Sequence, residues 1–247
     1  MSQRIDEVVA ALTEIIDCCL EENSRLGYFP ALYRKVTVRI GEGIESGEFE
    51  NGEQMSRLDF VFANRYIDAF HQYRQGQPTT RSWQYAFEMA ERPEPLLIQH
   101  LLLGMNAHIN LDLGIAAAEL CRGTALQPLK PDFFLVNEIL SSLFDQVQEG
   151  INRESAAFKW VDWLAGPIDE AIGRFSLRQA RRAAWGKAER LHDAPPEEAA
   201  ALIDEIDREV TAIARLLCSL DEPNPPPNHS PTHKEATSPR QIIKLLS

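Results

Sequence analysis

Gln99-His100-Leu101-Leu102-Leu103-Gly104-Met105-Asn106-Ala107-His108-Ile109-Asn110-Leu111-Asp112-Leu113-Gly114 is the stretch that decides the fold of this chain. Two histidines, two asparagines and an aspartate stand in an otherwise apolar segment. Each polar group buried without a partner costs about 1–3 kcal/mol, and a charge costs more. A helix apolar on several sides that also carries paired polar groups belongs in the middle of a bundle. The spacing pairs them. At about 100° and 1.5 Å per residue, His108 and Asp112 share one face, about 6 Å apart along the axis. Asn106 and Asn110 form a second such pair. His100 lies about 12 Å before His108, so on a straight helix it cannot join that pair around one ion. Only a break or bulge at Gly104 would bring it in; otherwise it builds a second layer of the same cavity.

Outward from this segment the pattern is helical almost throughout. Ile5, Val8, Val9, Leu12, Ile15, Ile16, Cys19 and Leu20 recur at three- and four-residue spacing and predict a first amphipathic helix. Gly27 to Pro30 interrupts it, and a second helix is expected over 31–44, although Val36-Thr37-Val38 would also suit a short strand. Ser56-x-x-Asp59 reads as a capping-box variant opening a third helix that runs to about Tyr73. Further helices are expected over 82–92, 96–120 and 131–152, after Ser176, and from Pro195 to about Leu220. The fold class is therefore all-α: a single multi-helix bundle, residues 1–220, around a buried central helix at about 94–121. From Asp221 the chain is rich in proline, and residues 221–247 read as a mobile tail. Its end, Ile242-Ile243-Lys244-Leu245-Leu246, is apolar enough to dock on the body or on a partner.

Composition narrows the function classes. Of 247 residues, 44% are hydrophobic and 25% charged, as in soluble globular proteins. The net charge of −12 comes without any long basic run, which argues against nucleic acid or anionic membrane as partner. No signal peptide and no membrane span is read, so a cytoplasmic location is expected. Cys18, Cys19, Cys121 and Cys218 contain no CxxC pair and read as free thiols. No Gly-rich phosphate loop or nucleophile elbow is present.

The His108–Asp112 pair has the spacing of two ligands to one metal ion, and bundle cores are where such sites are built. Candidate partners are Asp68 with His71, the Asn64-Arg65-Tyr66 run, and Asp132, Asn137 and Glu138. With them a zinc, manganese or iron ion would acidify a bound water for hydrolysis. His100 or Asp68 would then serve as general base, and Arg65 and Tyr66 would orient the substrate. Asn106 and Asn110 would contact a cofactor or ligand. Each feature also has a plainer reading: His108 with Asp112 as a structural hydrogen bond, the asparagines as helix-packing bridges, Asp59 as a cap. Asp132 reads as a first-turn charge, and Arg178, Arg181 and Arg182 with Trp185 as a solvated face rather than an anion site.

The segments Tyr28 to Tyr33, Leu58 to Tyr66 and Gln99 to Gly114 together resemble a bacterial family of uncharacterised proteins marked by the phrase Gly-Met-Asn-Ala-His-Ile-Asn-Leu-Asp-Leu. The resemblance covers roughly residues 25–195 and implies a helical fold without an assigned activity. His108 and Asp112 are also similar to the His-x-x-x-Asp zinc ligands of zinc-dependent phospholipase C and single-strand nucleases. Those enzymes add an N-terminal tryptophan ligand and a second ligand pair, both missing here, so the similarity implies a site simpler than their trinuclear one. The leading expectation is a metal-dependent hydrolase; the alternative is a protein binding a small or lipid-like ligand without catalysis.

Overall fold

The computed structural model describes residues 2–140, 177–219 and 238–247. The helices are α1 (Gln3–Glu21), α2 (Tyr28–Ser46), α3 (Gly52–Arg74), α4 (Arg81–Glu91), α5 (Leu97–Leu120), α6 (130–140), α7 (Leu177–Asp193), α8 (Pro196–Ser219) and α9 (Pro239–Leu246). No strand occurs among the described residues, and the Val36-Thr37-Val38 run is helical. The Thr37 hydroxyl, buried in the helix, donates to the Tyr33 carbonyl 3.2 Å away, which satisfies it. Pro30 is tolerated because it lies in the first turn of α2, where a missing N–H costs nothing. The helix expected over 131–152 is described only to residue 140, and the helix junction expected at Ala165-Gly166-Pro167 and the cap expected at Ser176 lie outside the described residues.

α5 runs through the middle of the molecule with α2, α3, α4, α7 and α8 packed around it. Its length and composition would suit a membrane span, yet 89% of its most apolar window is buried inside the bundle. Two glycines allow that packing. A Cβ on Gly104 would lie 2.5 Å from the Phe29 ring of α2. On Gly114 it would lie 2.9 Å from the Ala184 carbonyl of α7. α5 also changes winding midway: His108–Asp112 form a π-helical turn between two α-helical halves. Such turns insert a residue into a helix and are frequent at functional sites.

The start of α3 differs from expectation. Ser56 and Asp59 are buried inside the helix, and Asn51 is the cap, its side chain accepting from the Gln54 N–H at 3.0 Å. Asp132 fixes this earlier start from another helix. Its carboxylate accepts the N–H groups of Glu50 and Asn51, both at 2.8 Å. Asp207 of α8 does the same for α4, accepting from Arg81 and Ser82 at 2.7 and 3.0 Å. Remote carboxylates thus take up the free N–H groups that begin two helices.

Candidate functional site

The π-helical turn puts both ends of the His108–Asp112 pair in the core, with His108 2% and Asp112 1% exposed. His108 Nδ1 lies 3.2 Å from Asp112 Oδ2. Two other elements also hold this carboxylate. Arg65 Nε of α3 donates to Oδ1 at 3.0 Å, and Trp83 Nε1 of α4 donates to Oδ2 at 2.8 Å. Arg65 supplies the counter-charge that a buried carboxylate needs. Burial pushes the His108 imidazole below its ordinary pKa, more than the neighbouring carboxylate pulls it up. The ring is therefore neutral, and Asp112 Oδ2, facing Nδ1, fixes the ring proton there. Nε2 is left as an acceptor.

That Nε2 is buried and has no hydrogen-bond partner. The ring is locked by aromatic neighbours: stacked on Phe62 with centroids 3.6 Å apart, and met edge-on by Tyr33 at 4.5 Å. Beside it lies an apolar cavity of about 760 Å³ including its opening. Phe29, Leu32, Tyr33, Val36 and Ile40 of α2 line it with Met55, Leu58, Asp59 and Phe62 of α3, Met105, His108, Ile109 and Leu113 of α5, Val136 and Leu140 of α6, and Leu177 and Arg181 of α7. The wall is apolar, and His108 Nε2 is one of the few polar atoms on it. Asp59 is the second polar atom source. It is 7% exposed, its Oδ2 has no donor, and burial raises its pKa to about 7.

The other residues expected at the site are distributed as follows. Arg65 is in it, as a holder of Asp112. Tyr66 is fully buried beside it, 6.2 Å from the His108 ring by centroid, with its hydroxyl unpaired. His100 lines a separate, smaller cavity with Tyr28, Tyr66, Trp83 and Gly104, and Phe29 lines both cavities. Burial lowers the His100 pKa to about 4, so it too is neutral near pH 7. Asp68 and His71 lie on the exposed side of α3, away from the pair. Asn106 and Asn110 bridge helices: Asn110 Nδ2 donates to Asn106 Oδ1 at 3.0 Å, and Asn106 Nδ2 to the Val210 carbonyl of α8 at 2.9 Å. Gln99 Nε2 reaches the Leu217 carbonyl of the same helix at 3.2 Å.

The donor set does not suit a divalent ion. Both Asp112 oxygens already accept N–H groups, one of them cationic, which leaves His108 Nε2 as the free donor of the pair. Among the described residues no three His, Cys, Asp or Glu side chains converge. Sequence reasoning missed Trp83, Phe62 and Tyr33, which read as ordinary aromatic core. It also misread Asp59. The signal for Asp59 was available: it stands between Leu58 and Phe60 in an apolar run, one helical turn after Met55.

The chain belongs to a family of unknown function, DUF5995, whose model matches residues 5–220. No curated protein and no solved structure matches it.

Proposed function

We propose that this member of the family binds an apolar small molecule in the α2–α3–α5 cavity and orients it by a hydrogen bond to His108 Nε2. The observation that carries this reading is the buried, unpartnered Nε2 on the wall of an apolar cavity. A lone acceptor left dry costs about 1–3 kcal/mol, and a ligand donor relieves that cost. Asp112, Arg65 and Trp83 keep the imidazole in the acceptor tautomer, as second-layer groups do in preorganised sites. The metal-dependent hydrolase reading has less support, because both oxygens of the carboxylate that would ligate the ion already accept N–H groups.

A second reading follows from the same pair. A carboxylate fixing the Nδ1 proton of a neutral imidazole is the arrangement of a general base, so the oriented ligand would lose a proton to Nε2 when it is acidic enough.

Calorimetric titration with octanamide, a neutral apolar hydrogen-bond donor, tests the binding. Saturable binding to the wild type is expected, weakened about 5- to 30-fold in His108→Leu, as loss of one hydrogen bond of 1–2 kcal/mol implies. No saturable binding to the wild type overturns the reading. Stoichiometric zinc, manganese or iron retained through dialysis, with a rise in Tm of several degrees on its addition, would return the site to the metal hydrolase.

A further inference from the structure

The cavity wall contains a cation, Arg181, that has no carboxylate partner among the described residues. Arg181 of α7 is 4% exposed, while its sequence neighbours Arg178 and Arg182 are exposed. One nitrogen, Nη2, donates to the Phe133 carbonyl. The guanidinium lies over the Phe133 ring, 4.7 Å from its centroid. Nε is buried and has no acceptor. Among the described residues no carboxylate pairs with Arg181, in contrast to Arg65, which reaches Asp112 and Glu119 from the same core. One carbonyl and one ring face satisfy two of the several needs of a buried guanidinium. Taking such a charge out of water without an anion costs several kcal/mol. Leu177, Leu140 and Val136 line the same cavity.

We infer that the ligand of this cavity is an amphipathic carboxylate: its acid group pairs with Arg181, its hydrocarbon body lies along Leu32, Val36, Ile40 and Leu58, and a hydroxyl or N–H on that body is the donor to His108 Nε2. The inference rests on the reading of the cavity as a ligand site and adds the charge of the ligand. A planar guanidinium with Nε free matches a carboxylate, and a single buried cation balances a single negative charge. Asp59, on the same wall, does not serve as the counter-ion of Arg181: no ion pair joins them, and burial favours the neutral acid at Asp59. A dianionic head would leave one charge unbalanced in an apolar chamber.

Octanoate and octanamide hardly differ in shape; octanoate brings the charge that Arg181 calls for and lacks the N–H that His108 Nε2 accepts, so a preference for octanoate means that the ion pair outweighs that one hydrogen bond. At pH 6, where Asp59 holds its proton and octanoate is ionised, the wild type is expected to bind octanoate at least tenfold more tightly than octanamide. Arg181→Gln is expected to abolish that preference. Equal affinity of both probes for the wild type overturns the carboxylate inference while leaving the cavity reading standing. Binding of neither probe overturns both.

A second measurement needs no variant. The carboxyl carbon of octanoate labelled with carbon-13 is expected to titrate at least one pH unit lower when bound than when free. A bound midpoint equal to or above the free one overturns the pairing with Arg181. Should Arg181→Gln fail to fold, Arg181→Lys retains the cation and is expected to keep the preference for octanoate; loss of preference in a folded Lys variant, with an unshifted midpoint in the wild type, counts against it.

Discussion

Asp59 and the two buried histidines make opposite demands on pH. The folded-state pKa of Asp59 is raised from 3.8 to about 7, so the folded chain holds a proton there that the unfolded chain has lost. That contribution is full below about pH 4 and is lost as pH rises to 7, roughly 4 kcal/mol in all. His100, lowered from 6.5 to about 4, works the other way: its neutral folded form favours folding increasingly between pH 4 and 6.5. His108 is lowered too and adds in the same direction. The wild type is therefore expected to show a muted slope between pH 4 and 6.5. Asp59→Asn removes one side of the balance. Urea unfolding of both proteins at pH 4.5 and 7 is expected to show the variant gaining on the wild type by a few kcal/mol as pH rises. A difference that does not vary with pH would remove Asp59 from the list of groups protonated in the folded state.

The central helix was legible in the sequence because its signal is local. Apolar residues on every side, with polar pairs four apart, can be recognised from period alone, and α5 begins and ends where that pattern does. The partners of its polar groups were not legible. Trp83 and Arg65 meet Asp112 from helices 29 and 47 residues away in sequence. Nothing in the spacing of a tryptophan says that its N–H faces a carboxylate. Asp132 and Asp207 accept from helix starts 81 or more residues distant. Arg181 could not be told from Arg178 and Arg182 by type; the 100° step of α7 places one inward and two outward.

Tight approach at Gly104 gives a test at the scale of the element. Alanine has the better helix propensity by about 1 kcal/mol, so an exposed Gly104 would be improved by Gly104→Ala. Here the added methyl would lie 2.5 and 2.6 Å from Cδ2 and Cγ of Phe29 and 3.0 Å from its Cβ. Atoms so near the backbone cannot swing aside as a side-chain tip would. Overpacking of this kind costs about 1–3 kcal/mol, so a net loss is expected. Chemical denaturation measures it, and a net gain would mean that α2 and α5 separate freely at this crossing.

At the scale of the whole molecule the chain closes on itself. α9 packs against α1, α2 and the short turn Arg25–Gly27 that leads into α2. Ile243 is fully buried, with its Cδ1 where a Cβ on Gly27 would stand. Arg240 donates to the Leu20 carbonyl at 2.9 Å, and Lys35 of α2 to the Leu245 carbonyl at 3.3 Å. The apolar end of the tail therefore lies on the body, while residues 220–237 fall outside the described residues. Ile243→Ala is expected to lower stability by about 2–4 kcal/mol. In a Cys18→Ser background it should also speed modification of buried Cys19 by a thiol reagent. An unchanged rate together with an unchanged Tm would show that α9 contributes nothing to the body.

The π-helical turn has a consequence for the mechanics of α5. Deleting one residue from His108–Asp112 to restore an ordinary helix would rotate Leu113–Leu120 by about 100° relative to Leu97–Ala107. Gly104 and Gly114 are each seated against a different neighbour, so the two halves cannot both keep their seats after such a rotation. The additional residue works as a phase shim, setting the angular offset between two crossings that a regular helix would leave out of step. Torsion between the α2 side and the α7 side of the bundle is thereby concentrated at the one turn where His108 and Asp112 meet.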